Sequence, residues 1–264
     1  MKLKVGIFDS GIGGFTILIS LLKTRKDVEV FYLADIKRIP YGNKNLNEIR
    51  SIAKEICNWF EDKNLDAILI ACNTTNACAL DILENSLKIP CFDLINSVSE
   101  IVTKNCVGIL ATPTTIKSLY YKKAIEFKNQ NVKVFQQECP EFVSEIETTK
   151  LNLNKINYLV DLYLNPLLKQ NVEELILGCS HYPLIYNVLR NKIHSNIRII
   201  DPSITLIKKL NNSFLITENC CCDSISYDNV RFFVTSNSEE FSKKVKYWLG
   251  INKEIRLVNL RSND

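Results

Sequence analysis

Two apolar runs in this chain end in the same way. Ala67-Ile68-Leu69-Ile70-Ala71 leads into Cys72-Asn73-Thr74-Thr75, and Leu175-Ile176-Leu177-Gly178 leads into Cys179-Ser180-His181. A short apolar run bracketed by polar residues reads as a strand buried on both faces, which requires a parallel sheet with helices above and below it. Ligands in open α/β sheets bind beyond the carboxyl ends of the strands. A thiol followed by amide and hydroxyl side chains stands at that point twice.

The remaining sequence supplies the elements such a sheet needs. Lys4 to Phe8 reads as a first strand, Asp9-Ser10-Gly11-Ile12-Gly13-Gly14 as a turn, and Phe15 to Lys23 as a helix. Glycine permits close approach of backbone to a ligand, and a helix start after such a turn offers free N–H groups to an anion. Thr16 stands where the third glycine of a dinucleotide fingerprint belongs, so that fingerprint is not met. Val28 to Leu33 is a second strand, followed by the loop Arg38-Ile39-Pro40-Tyr41-Gly42. Helices over Ile49–Glu61 and Asn76–Leu87 flank the Cys72 strand, and Ile89 to Leu94 is a short fourth strand.

The pattern then restarts. Val107-Gly108-Ile109-Leu110-Ala111-Thr112 echoes Val5-Gly6-Ile7-Phe8-Asp9-Ser10, Val134-Phe135 echoes Val30-Phe31, and Cys179 answers Cys72 in the same order. Strands alternating with helices, twice over, predict an α/β fold of two pseudo-symmetric Rossmann-like (flavodoxin-like) domains. Each is a mainly parallel sheet flanked by helices, with the site in the cleft between them. After Ile199-Ile200-Asp201 come a helix, an Asn-rich segment, a strand at Val230–Val234 and a helix at Phe241–Leu249. Gly250 to Asp264 reads as a mobile end in which Ile255–Val258 is able to add an edge strand.

Composition excludes several classes of function. The chain has 264 residues, 46% apolar and 23% charged, as in an ordinary globular protein. No apolar run approaches the roughly 20 residues of a membrane span, and the start lacks a signal peptide's apolar segment, so a cytoplasmic protein is expected. The net charge of +4 is spread rather than clustered, which argues against a nucleic-acid partner. Ten cysteines without a Cys-x-x-Cys pair, and only two histidines, make a metal site an unfavourable reading. Cys57, Cys78, Cys91 and Cys106 are expected to act as small buried hydrophobes. Adjacent side chains in a strand point to opposite faces, so Cys220-Cys221-Cys222 is read as incidental.

One thiol on each face of a carbon atom suits inversion of a stereocentre: one thiolate removes a proton and the opposite thiol returns one to the other face. Asn73, Thr74, Ser180 and backbone N–H groups are placed to hold a substrate carboxylate, while His181 and Asp9 tune the two thiols separately. Plainer readings exist for each residue. A cysteine ending a buried strand can be packing, Asp9 and Ser10 a helix cap, and His181 before Tyr182-Pro183 a turn cap. Their coincidence at strand ends that a repeat brings together favours chemistry.

These residues resemble the cofactor-independent glutamate racemases of bacterial cell-wall synthesis. The match runs through Gly6 to Gly14, Arg38 to Gly42, Ala71-Cys72-Asn73-Thr74 and Gly178-Cys179-Ser180-His181-Tyr182-Pro183-Leu184. The resemblance implies interconversion of L- and D-glutamate without cofactor or metal, supply of D-glutamate to peptidoglycan, and a homodimer. It implies Cys72 and Cys179 as acid/base thiols and Asp9, His181 and Glu147 as their support. Asp9, Ser10, Tyr41, Gly42, Asn73, Thr74, Thr112, Thr115, Ser180 and His181 are implied at the substrate. It further implies one domain from residues 1–97 with 208–264 and a second from 98–207. Ser180 replaces a usual Thr, Ser144-Glu145 a usual Pro-Leu, and Ala111 a frequent Gly. Alternatives are an aspartate or hydantoin racemase-type sibling, or a non-catalytic module that binds an acidic amino acid. Stabilising a carbanion without a cofactor demands exclusion of water, so closure about hinges near residues 95–100 and 205–212 is expected.

Overall fold

A computed structural model describes residues 2–215 and 225–260, so Cys220–Cys222 lies outside the described residues. The first half runs β1 (Leu3–Asp9), α1 (Phe15–Thr24), β2 (Val28–Ala34), α2 (Leu46–Glu61), β3 (Ala67–Ile70), α3 (Asn73–Ser86), β4 (Cys91–Asp93) and α4 (Leu94–Ser99). The middle runs β5 (Cys106–Ala111), α5 (Pro113–Ser118), α6 (Tyr120–Lys128), β6 (Lys133–Glu138), α7 (Phe142–Ile146), α8 (Leu153–Leu168), β7 (Glu174–Gly178), α9 (Tyr186–Lys192), β8 (Arg198–Ile200) and α10 (Pro202–Ser213). The end runs β9 (Val230–Val234), α11 (Ser238–Leu249) and β10 (Ile255–Leu257).

The strands form a six-stranded sheet in the order β10-β9-β2-β1-β3-β4 and a four-stranded sheet in the order β6-β5-β7-β8. Every pairing is parallel. The block β2-β1-β3-β4 has the same order as β6-β5-β7-β8, which is the repeat read from the sequence. The tail has no counterpart in the second sheet and extends the first one past β2. Ile255–Leu257 pairs with Phe232–Val234 there, and the Val258 N–H donates to the Val234 carbonyl at 2.8 Å. The segment expected as a mobile end therefore contributes an edge strand, because β9 leaves a row of backbone groups to be paired.

Alternation along the strands sets where the thiols point. Ile68, Ile70 and Cys72 pack on one face of the first sheet and Leu69 and Ala71 on the other. Leu175, Leu177 and Cys179 likewise share one face of the second sheet, with Ile176 opposite. Of the other cysteines, Cys57 and Cys78 are buried as expected, whereas Cys91 and Cys106 are half-buried at strand starts.

Two helices carry the chain between the sheets. The Asp93 carboxylate caps α4 by accepting from the Asn96 N–H at 2.7 Å, and Asp201 caps α10 by accepting from Ser203 at 2.9 Å. Ile95 and Val98 of α4 pack into the second lobe, while Leu206, Ile207 and Leu210 of α10 pack into the first. Of the segments read as hinges, 205–212 lies within α10, and 95–100 spans α4 from its second residue to one position past its end.

Asp35, fully buried after β2, ties the loop that carries Tyr41 and Gly42. Its Oδ2 accepts from Arg38 Nε at 2.6 Å and from the Tyr41 hydroxyl, and its Oδ1 accepts from the Thr235 hydroxyl at 2.7 Å. Arg38 continues to Glu55 at 2.7 Å. Removing a buried acceptor strands its donors, so Asp35→Ala is expected to destabilise the protein by about 2–3 kcal/mol, read as a lower urea midpoint at unchanged slope.

Candidate active site

Cys179 follows β7 at the start of a tight turn, with its Sγ 3.8 Å from Nδ1 of His181. His181 Nε2 lies 2.7 Å from Oε2 of Glu147, at the C-terminal end of α7. That helix runs through Ser144-Glu145, and the Ser144 hydroxyl donates to the Glu141 carbonyl at 2.9 Å. Burial disfavours an imidazolium, but hydrogen bonds to Cys179 and Glu147 and their charges outweigh it and hold His181 well above the ordinary histidine value. Burial alone would raise Glu147; the hydrogen bond and charge of His181, with Lys244 and the Ile12 N–H, bring its carboxyl below the usual range instead.

Cys72 keeps different company. It follows β3 and is 4% exposed, against 6% for Cys179. Burial pushes its thiol up to about 12, the nearby Asp9 adds to this, and the hydroxyl and N–H of Thr75 oppose it. Asp9 is itself raised by burial, against the charge of His181 and hydrogen bonds from the Gly11 N–H and the Ser180 hydroxyl. Those two bonds are each 2.8 Å long. One thiol thus faces a histidine whose protonated form is favoured, and the other a buried carboxyl.

The glycines of the first turn serve the opposite lobe. A Cβ at Gly11 would stand 2.3 Å from Oε2 of Glu147, and one at Gly13 would stand 2.3 Å from the Ser180 hydroxyl and 2.6 Å from Nδ1 of His181. The anion that the turn receives is a side chain of this protein: the Ile12 N–H donates to Glu147 Oε2 at 2.9 Å. Gly14 occupies the cap of α1 and no side chain caps that helix, so Asp9 and Ser10 are not its cap.

The other expected residues gather at the same cleft. Asn73 starts α3 and is buried; its Oδ1 accepts from the Tyr121 hydroxyl of α6 at 2.6 Å, and its Nδ2 has no protein partner. The hydroxyls of Thr74, Thr112 and Thr115 form a triangle with sides of 3.0, 3.3 and 2.9 Å. Gly42 presses on Thr112, where an added Cβ would meet the threonine Cβ at 2.5 Å. Thr114 fixes that loop by donating to the carbonyls of Gly42 and Lys44, each at 2.8 Å. The Tyr41 hydroxyl donates to Asp35, which ties down the loop that carries Gly42. Ser10 is buried beside Asp9. Among the described residues no group of three or more His, Cys, Asp and Glu side chains could hold a metal ion, and no helix is long and apolar enough to cross a membrane.

Sequence reasoning missed Tyr121, Asp35 and Lys244. Each makes a polar contact with a residue distant along the chain, of which local pattern carries no record.

Fold and site together place the protein among the two-lobed α/β racemases, a class of isomerases. The glutamate racemase of Prochlorococcus marinus (strain NATL1A) is 46% identical over 263 residues, covering 98% of each chain. The crystal structure of glutamate racemase from Francisella tularensis subsp. tularensis SCHU S4, in complex with D-glutamate, superposes with a TM-score of 0.86 at 33% identity over 98% of each chain. A glutamate racemase isoform from Bacillus anthracis gives 0.87 at 27% identity, again over 98% of each. The model of the Asp/Glu/hydantoin racemase family matches residues 18–210, and the chain belongs to that family.

The His181–Glu147 pair sets a pH window for stability. His181 is raised, so its contribution is complete below the unfolded value near 6.5 and is lost as pH rises through the folded one. Glu147 is lowered, so its contribution is complete above the unfolded value near 4.5 and is lost as pH falls through the folded one. The stability difference between the wild type and Glu147→Gln, from urea unfolding across pH, is expected to be greatest between 4.5 and 6.5 and to shrink on either side.

Proposed function

We propose that this protein is a glutamate racemase that interconverts L- and D-glutamate by proton transfer between two thiols, supplying D-glutamate for peptidoglycan in the cytoplasm. The observation that carries this reading is the unlike setting of two buried thiols at matching strand ends. Cys179 lies 3.8 Å from the imidazole of His181, whose protonated form its surroundings favour, while burial and Asp9 favour a neutral thiol at Cys72. We assign Cys179 as the base and Cys72 as the acid.

The thiolate at Cys179 takes the α-proton of glutamate, its S–H bond forming as the C–H bond breaks. The electron pair left on the α-carbon takes the proton of Cys72 on the opposite face. The product is the other enantiomer, with a neutral Cys179 and a thiolate at Cys72, which is the starting state for the reverse reaction. The charge on Cys72 is then held in a buried site that disfavours it, so this thiolate is a strong base. Asn73 Nδ2, which lacks a protein partner, and the threonine hydroxyls are the donors offered to a substrate carboxylate. Both thiols are shut off from solvent, so the substrate enters when the lobes part and reacts when they close. The closing bodies in this reading are residues 1–97 with 208–264 and residues 98–207, and the active form is a homodimer. Glutamate as substrate is supported by the names of the similar racemases and by the D-glutamate bound in the Francisella tularensis enzyme.

Enantiomers are equal in free energy, so kcat/KM must be the same from L- and from D-glutamate in any variant. Cys72→Ser and Cys179→Ser are each expected to lower it by about 10²–10⁴-fold in both directions, followed by circular dichroism with aspartate as the parallel substrate. Robust racemisation by both single variants would sink the two-thiol assignment. Binding of glutamate without exchange of its α-hydrogen for solvent deuterium would make the protein a binding module. Tyr121→Phe removes only the hydroxyl that orients the Asn73 amide, so KM for glutamate is expected to rise by about 2- to 10-fold, the worth of one hydrogen bond, in steady-state assays.

A further inference from the structure

Lys244 is a buried cation that the proton-transfer steps do not use. It lies on α11, beyond the residues 18–210 that the family model matches. An ammonium group taken out of water needs a compensating partner. Lys244 Nζ finds one 3.1 Å away in Oε1 of Glu147, and a second, more exposed one in Glu240 at 3.4 Å.

The geometry accounts for both oxygens of Glu147. Oε2 receives His181 Nε2 and the Ile12 N–H; Oε1 receives Lys244. With one oxygen tied to a cation on α11, the carboxylate cannot rotate its other oxygen away from the imidazole. The helix is itself fixed on both sides. Phe241 and Val245 are fully buried in the core of the first lobe, and Trp248 Nε1 donates at 2.9 Å to the Thr148 carbonyl, next to Glu147. Lys244 therefore reaches the second lobe's catalytic support from a helix anchored in the first.

We propose that Lys244 is a positioning residue for the Cys179–His181 pair, acting through Glu147 and supplied by the C-terminal helix only when the two lobes are together. The proposal rests on the two-thiol reading above. It makes α11 part of the working site, and the state of the cleft is read at the pair through the contact of Lys244 with Glu147.

A double-mutant cycle tests it. Lys244→Met keeps the length of the side chain and removes the charge. In the wild-type background it is expected to lower kcat for racemisation by about tenfold with KM within twofold, and to slow alkylation of Cys179 by iodoacetamide, followed by peptide mass, by a similar factor. In the Glu147→Gln background, where the carboxylate is already gone, the same change is expected to alter both quantities by less than twofold. Equal fold-changes in the two backgrounds, or no change in the wild-type background, overturn the proposal and leave Lys244 as a tie between lobes. Should Lys244→Met not fold, Lys244→Gln takes its place in the cycle, since it retains a donor without the charge. The alkylation readout needs no turnover, so a wild type that fails to racemise glutamate counts against the two-thiol reading while the cycle still decides the role of Lys244.

Discussion

Glu147 is a carboxylate removed from water and held by donors from three distant parts of the chain. The Ile12 N–H comes from the first turn, the imidazole of His181 from the end of β7, and the ammonium of Lys244 from the C-terminal helix. A buried carboxylate is tolerated only when its lone pairs are filled, so these three segments must meet for the site to exist. Their meeting explains the glycines at 11 and 13, since a side chain at either would occupy the place of Glu147, Ser180 or His181. It also explains why the protonated form of His181 is favoured in a buried site, since the carboxylate of Glu147 supports it.

The parallel sheets do the remaining positioning. Strands that carry a buried residue at every position leave polar side chains only at their ends, and parallel pairing brings all those ends to one edge. The repeat β2-β1-β3-β4 and β6-β5-β7-β8 then puts Cys72 and Cys179 at corresponding points of two lobes. Corresponding position does not mean equal chemistry. Asp9, one strand from Cys72, makes that thiol harder to ionise, whereas Cys179 has the imidazole of His181 as its neighbour at 3.8 Å.

Much of this was legible in the residues. The order of strands and helices, the restart at Val107, the edge strand at Ile255 and both thiol positions follow from local pattern, because a buried strand needs consecutive apolar residues and ends where they stop. Most site residues sit on those same strand ends or on the loops that follow them. The glycine turn was readable as a place where N–H groups meet an anion, but not that Glu147, 135 residues on, would accept from its Ile12 N–H. The orientation of the Asn73 amide by Tyr121 and the anchoring of Tyr41 by Asp35 left no pattern to read.

The sequence by itself determined a doubly repeated parallel α/β chain with a thiol at the same strand end of each half, since strand burial and strand termination are local properties of composition. Only the tertiary structure decided what holds His181 and Asp9, the two residues read as tuning the thiols. Their partners are reached by polar contacts a few ångströms long between residues 34 and 171 positions apart, His181 with Glu147 and Ser180 with Asp9. Hydrogen bonds and ion pairs act over such short distances that they depend on how distant segments pack, and a single helix or strand carries no periodic trace of a partner elsewhere in the chain.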